Sequence, residues 1–254
     1  FSGCTSLKSI TIPSSVTTIG GNAFSSCTSL ASITIPSGVT KLNEETFYNC
    51  TSLTTITIPS TVTAIGYNAF NGCTSLTSIT IPSSVTEISN SAFYGCTSLT
   101  NITVDSGNTV YDSRNNCNAI IEKSSNTLIV GCKTSTIPST VTAIGDNAFK
   151  DCTSLTSITI PSSVTTIGYA AFSSCTSLTS ITIPSSVTLI ESYVFSNCKN
   201  LTNISFEKTD NWKYSSDYGK TYKELTSNNM SLTDSAKNAT NFKGSWKNYY
   251  FRNI

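Results

Sequence analysis

The 254-residue chain contains no histidine, and only 11% of its residues are charged. Without an imidazole, neither serine nor cysteine has its usual general base, so triad-type hydrolysis is not expected and no enzyme activity is assigned. Zinc is equally unexpected: ten cysteines are present, but none forms a CxxC pair and no histidine can join them. No cofactor motif stands in the chain. A net charge of +1 lacks the basic footprint of nucleic-acid proteins. No apolar run approaches the ~20 residues of a membrane helix, and no basic-then-apolar leader precedes Phe1. The chain opens with FSGC, where FNGC and FYGC stand later, so a piece of a longer precursor is expected.

What is abundant is repetition. Residues 50–72 read CTSLTTITIPSTVTAIGYNAFNG, and complete copies of this 23-residue unit start at Cys4, Cys27, Cys50, Cys73, Cys152 and Cys175. Two further starts, at Cys96 and Cys198, drift into other sequence. A fixed period of this size with a leucine-rich pattern predicts a solenoid. In the copy from Cys50, Leu53, Ile56, Ile58, Val62, Ile65, Ala69 and Phe70 are the inward candidates. Ile56 in, Thr57 out and Ile58 in is strand periodicity, and Pro59 ends the strand because it has no amide to give the next rung. Val62 to Ile65 suits a second short strand, and the NAFNG stretch a short helical turn. One such unit buries too little apolar surface to offset the entropy of ordering it, so the units must stack.

The fold expected is therefore mostly β, a leucine-rich-repeat solenoid over residues 1–204. Cys96 and Cys152 are 56 residues apart, more than two periods, and the excess falls around NNCNAIIEKSSNTLIVGCK. This predicts an enlarged, hairpin-bearing rung at about 105–137, within a continuous solenoid. Residues 205–254 leave the repeat and hold both tryptophans and five of the eleven tyrosines. They are expected to cap the last rung. The competing expectation is a binding surface made of Trp212, Tyr214, Trp246, Tyr249 and Tyr250. The LTDSAKNATNF stretch suits a short helix capped by Thr233 or Asp234.

Eight cysteines occupy one slot of successive units and are expected as buried, reduced, small apolar side chains. Cys117 and Cys132 fall opposite each other in the hairpin register and are a possible disulfide, although Cys132 also falls in a core position of the repeat. Asp105, Asp112 and Glu122 are read as solvated carboxylates rather than a calcium site, since Arg114 intrudes. Outward positions on the main strand are nearly all hydroxyls, from Ser9 and Thr11 to Ser180 and Thr182. The positions that vary between copies are Gly21, Glu44, Tyr67, Asn90, Asp146, Tyr169 and Ser192 in one register, with Tyr48, Tyr94 and Lys150 in another. Such a stripe is either drift on an unconstrained edge or a surface read by a partner. The candidate partner-binding residues are Tyr48, Tyr67, Tyr94, Tyr169, Glu44 and Asp146.

CTSLTSITIPSSVTTIG followed by an Ala-Phe pair resembles the BspA-like leucine-rich-repeat family of bacterial surface antigens, a family found also in mucosal protists. The resemblance covers residues 1–204, and the inserted VYDSRNNCNAIIEKSSNTLIVGC is similar to that family's enlarged rung. It implies an extracellular or cell-surface protein mediating adhesion by binding host matrix protein, glycan or other cells. A passive spacer with no ligand of its own is the alternative. A monomer is expected, with no membrane segment in this stretch of chain.

Overall fold

Leucine, isoleucine, valine and phenylalanine recur at fixed places in each 23-residue turn, and each packs on its own copy in the neighbouring turn. Leu53, Leu76 and Leu99, Val62 and Val85, and Phe47 and Phe70 are all buried. The computed structural model describes residues 1–89, 91–216, 223–224, 232–244 and 246–253. They form two units, residues 1–124 with 130–135 and residues 125–129 with 136–254. Each unit is a β-solenoid built from the same turn.

In the first unit the main strands Ser78–Ile81 and Asn101–Val104 pair in parallel, Ile79 against Ile102 and Ile81 against Val104. The bridge Thr34–Thr57 continues the same edge. Pro59 and Pro82 close the main strand, and their carbonyls accept the amides of Val62 and Val85 at 3.0 and 3.2 Å. The chain thereby turns into the two-residue strands Lys41–Leu42, Ala64–Ile65 and Glu87–Ile88, which are again parallel and in register.

The NAFNG segment shows how a short turn can also serve as a ladder. Ala69, Asn71 and Cys73 donate within the turn, to Gly66, Asn68 and Phe70 at 3.2, 3.1 and 3.1 Å. Phe70 and Gly72, the amides in between, donate instead to Ala92 and Tyr94 of the next turn, both at 2.8 Å. Left-handed residues, Asn68 at φ 54° and Gly72 at φ 77°, interrupt what would otherwise run on as a helix. The local bonds are thus those of short turns, and alternate amides are released to the neighbour.

After Val104 the regular frame ends. Asn108 takes over the corner: its amide nitrogen donates to the carbonyls of Pro82 and Val85, both at 2.8 Å, and its oxygen accepts the amides of Val110 and Tyr111. The strand Tyr111–Asp112 then runs antiparallel to Ile120–Glu122.

The second unit repeats the plan. Thr127 and Leu128 pair in parallel with Ala143 and Ile144, followed by Thr166–Ile167 and Leu189–Ile190. The main strands Ser180–Ile183 and Asn203–Phe206 pair alongside. Tyr250–Asn253 adds antiparallel to Leu189–Ile190, and Trp212–Ser215 adds to Tyr250–Asn253. The helix Ser235–Lys243 is capped by Asp234, whose Oδ1 accepts the amides of Ala236 and Lys237 at 3.1 and 3.0 Å. Phe242 on this helix meets Phe195, Phe206, Trp246 and Phe251 at centroid distances of 4.7 to 6.0 Å. Trp212 and Trp246 are buried in this cluster. Neither indole is therefore displayed as a binding surface. Tyr214 and Tyr249 stack on each other at 5.3 Å and remain half-exposed.

Candidate functional site

Two columns in the interior and one on the surface set what the solenoid can offer. The phenylalanine column stacks face to face, Phe24 on Phe47 at 5.7 Å and Phe47 on Phe70 at 5.6 Å, with Phe149 on Phe172 at 5.1 Å in the second unit. Beside it stand the cysteines, which are free thiols. They are more than small apolar fillers. The thiols of Cys50, Cys73 and Cys96 donate to the carbonyls of Phe24, Phe47 and Phe70 in the preceding turn at 3.1, 3.2 and 3.2 Å. Cys175 and Cys198 do the same to Phe149 and Phe172. Burial pushes Cys50, Cys96 and Cys198 up to about 12, which holds them protonated. The third column is threonine: the hydroxyls of Thr54, Thr77 and Thr100 each donate to the carbonyl one turn back.

Cys117 and Cys132 are also buried and free. The Cys117 thiol points to the carbonyl of Ala119 and the Cys132 thiol to that of Asn118. Asp112 is held by Arg114, Nε to Oδ1 at 2.8 Å.

The variable stripe is where the outer surface departs from this regularity. Gly21, Glu44 and Tyr67 stack one turn apart, and a Cβ at Gly21 would lie 3.1 Å from Glu44 Cγ. With Lys41, Asn43, Glu87 and Ser89 they line an open groove of about 450 Å³. Sequence reasoning picked Glu44 and Tyr67 but missed Lys41 and Glu87. The signal was available, since Lys41, Ala64 and Glu87 form a variable column of their own at the same period. In the second unit Asp146 Oδ1 accepts the amide of Tyr169 at 2.9 Å. Glu191 joins them: burial pushes its carboxyl up, the charge of Asp146 adds to the rise, and the main-chain amide of Tyr169 opposes it.

Tyr67 and Tyr169 therefore hold the same place in their units. Each follows a glycine whose Cβ would strike the previous turn's backbone, at 2.9 Å from Asn43 C for Gly66 and 2.8 Å from Asp146 N for Gly168. Among the described residues the exposed large apolar side chains are Phe1, Tyr67 at 56% and Tyr169 at 39%. Tyr48 and Tyr94 are not in the groove. They sit half-buried in the turn segment, and their carbonyls accept the amides of Ser26 and Gly72. Asn90 lies outside the described residues.

Parallel short strands, a stacked phenylalanine column and a 23-residue turn together define a leucine-rich-repeat solenoid. The family described as BspA type leucine rich repeat region, in six copies, matches residues 1–121 and 120–242, and the chain belongs to that family. Among solved structures it is similar to a leucine-rich repeat protein from Eubacterium ventriosum, with 29% identity over 78% of this chain and 60% of that one and a TM-score of 0.64. A leucine-rich repeat protein from Bacteroides ovatus shares 30% identity over 81% of this chain and 57% of that one, with a TM-score of 0.57. A leucine rich cell surface protein from Faecalibacterium prausnitzii shares 30% over 82% and 75%, with a TM-score of 0.55. The chain thus spans less than two thirds of the length of the first two relatives. No curated protein matches it. Among the described residues no helix is long and apolar enough to cross a membrane.

Proposed function

We propose that the protein is an extracellular, cell-surface recognition module that mediates adhesion by engaging a protein or glycan ligand through its variable stripe. The observation that carries this reading is the paired placement of Tyr67 and Tyr169. With Phe1 they are the exposed large apolar side chains among the described residues, and both stand one turn beyond a carboxylate, Glu44 or Asp146. An exposed tyrosine fixed by a packed backbone brings contact area at little entropic cost, which is what interfaces select. The family, and the cell-surface relative's name, support this location.

The spacer reading has its own support. The hydroxyls of the Thr54, Thr77 and Thr100 column give their protons to the protein's own carbonyls, so that column has no hydroxyl donor left for a ligand. Binding to host cells, matrix proteins and a glycan panel, compared between the wild type and Tyr67→Ala/Tyr169→Ala, separates the two. Recognition predicts saturable binding weakened by about 2 kcal/mol or more per tyrosine at a hot spot. Absence of binding to every probe leaves the spacer.

A further inference from the structure

We propose that each unit carries a saccharide subsite on its main-strand face, at Thr57, Thr80 and Asp105 in the first unit and at Thr159, Thr182 and Glu207 in the second. These residues lie apart from the tyrosine groove, and the proposal does not rest on it.

The two concavities arise independently at matching positions. One, of about 290 Å³, is lined by Ile56, Thr57, Ile58, Ser60, Thr80, Pro82 and Asp105. The other, of about 230 Å³, includes Ile158, Thr159, Ile160, Thr182, Pro184 and Glu207. In both, an acid occupies the place that proline holds one turn earlier, Asp105 after Pro82 and Glu207 after Pro184. In both, the main chain fixes one carboxylate oxygen: Gly107 N donates to Asp105 Oδ1 at 2.8 Å and Ser185 N to Glu207 Oε2 at 2.9 Å. Among the described residues the other oxygen has no partner, which leaves it to accept from a ligand.

The hydroxyls here differ from those elsewhere on the solenoid. Thr80 Oγ1 pairs with Thr103 Oγ1 at 2.9 Å, and Thr182 Oγ1 with Ser205 Oγ at 3.0 Å. A hydroxyl pair spends one proton between two oxygens, so it retains both a donor and acceptors for a third group. Thr77, by contrast, gives its proton to a carbonyl. Ile56, Ile58, Ile160, Pro82 and Pro184 are buried behind them, so the hydroxyls and the carboxylate are what each concavity presents.

A fixed carboxylate and a reusable hydroxyl pair match a pyranose ring, which presents hydroxyls around its rim. Each concavity is below the roughly 300–1,000 Å³ typical of drug-sized ligands, so it takes a single ring. Among the described residues no second acid lines either one. A neutral polyol donating to one carboxylate is thus favoured over a cationic group.

The test is binding to a printed array of neutral glucose-, galactose-, mannose- and N-acetylhexosamine-containing oligosaccharides, with an oligolysine peptide alongside. Asp105→Asn and Glu207→Gln keep an acceptor for the Gly107 and Ser185 amides, so the fold is retained, as a melting curve verifies. The expected result is saturable, salt-insensitive binding of a neutral oligosaccharide that weakens about tenfold or more in the double variant. Tyr67→Ala/Tyr169→Ala should bind the same sugar as well as the wild type, which separates this site from the tyrosine groove. The proposal is overturned if no neutral sugar binds, if the double variant binds equally well, or if only oligolysine binds and salt abolishes it.

Discussion

Cys73 donates its thiol proton to the carbonyl oxygen of Phe47, at 3.2 Å, in the turn before it. The same oxygen also accepts the amide of Cys50 at 3.2 Å. The cysteine slot thus ties side chain to backbone between turns, beside the phenylalanine column. Cys73→Ala removes that weak bond and leaves a void the size of one sulfur, with an expected loss of about 1–2 kcal/mol. Cys4→Ala, at an exposed copy of the slot, should stay within about 0.5 kcal/mol. Midpoints of urea denaturation for the two variants check the difference.

The cysteine column also sets a pH limit. Cys50, Cys96 and Cys198 are pushed up from 9.0 to about 12 by burial. Their folded values lie above their unfolded ones, so the stability they confer is complete below pH 9 and is lost as pH rises towards 12. Denaturation midpoints should hold steady through neutral pH and fall over that alkaline window. A curve flat to the top of the range would contradict the burial of these thiols. Thiol counting on the unfolded, unreduced protein should find all ten cysteines, and a count two short would instead join Cys117 to Cys132.

Glu191 shows a dependence of the same sign in the acid range, its contribution to stability falling as pH rises through the carboxyl's titration. Its carboxyl is raised first by burial and then by Asp146, so its charged form costs stability at neutral pH. Glu191→Gln should make the protein slightly more stable at pH 7. The gain should vanish in acid, where the carboxyl is protonated in folded and unfolded chains alike. Melting temperatures of the two proteins at both pH values provide the comparison.

Gly66 and Gly168 test the seating of the tyrosines. A methyl at Gly66 would meet Asn43 C and Glu44 N at 2.9 Å, both of them backbone atoms that cannot swing aside. Gly66→Ala and Gly168→Ala should each cost about 1–3 kcal/mol by forcing neighbouring turns apart. Gly20→Ala, with open space around it, should cost less. The three melting temperatures give the ranking directly.

The stacked turn was legible in the sequence because every copy spends the same residues on the same inward places. Ile56, Ile58, Val62 and Phe70 could each be assigned a direction from periodicity alone. The cysteine–carbonyl bonds were not legible, since the Phe47 carbonyl that accepts from Cys73 is a backbone atom and leaves no mark on residue choice. The short helical turn expected of NAFNG was readable as a turn. The left-handed residues that divert its amides to the next turn follow from stacking rather than from local preference. Of the candidate stripe, Tyr67 with Glu44 and Tyr169 with Asp146 come together because each pair shares a column. Tyr48 and Tyr94 belong to a column whose backbone serves the ladder, a distinction that requires knowing which amides point where.

Asn238 offers a test of the C-terminal helix. The residue is fully buried, and its amide nitrogen donates to the carbonyls of Ile204 and Leu232 at 3.0 and 2.9 Å. One contact reaches the last main strand and the other the segment leading into the helix, so this side chain fastens the helix over the strand. Among the described residues its own oxygen has no hydrogen-bond partner. Asn238→Ala should leave both carbonyls unsatisfied in a dry site and lower stability by about 1–3 kcal/mol. Asn238→Asp should be worse, because it replaces the donor with a third acceptor and buries a charge. Denaturation followed by the fluorescence of Trp212 and Trp246, both buried beside this helix, reads the change where it occurs. Equal stability for all three proteins would show that the aromatic cluster around Phe242 holds the helix without Asn238.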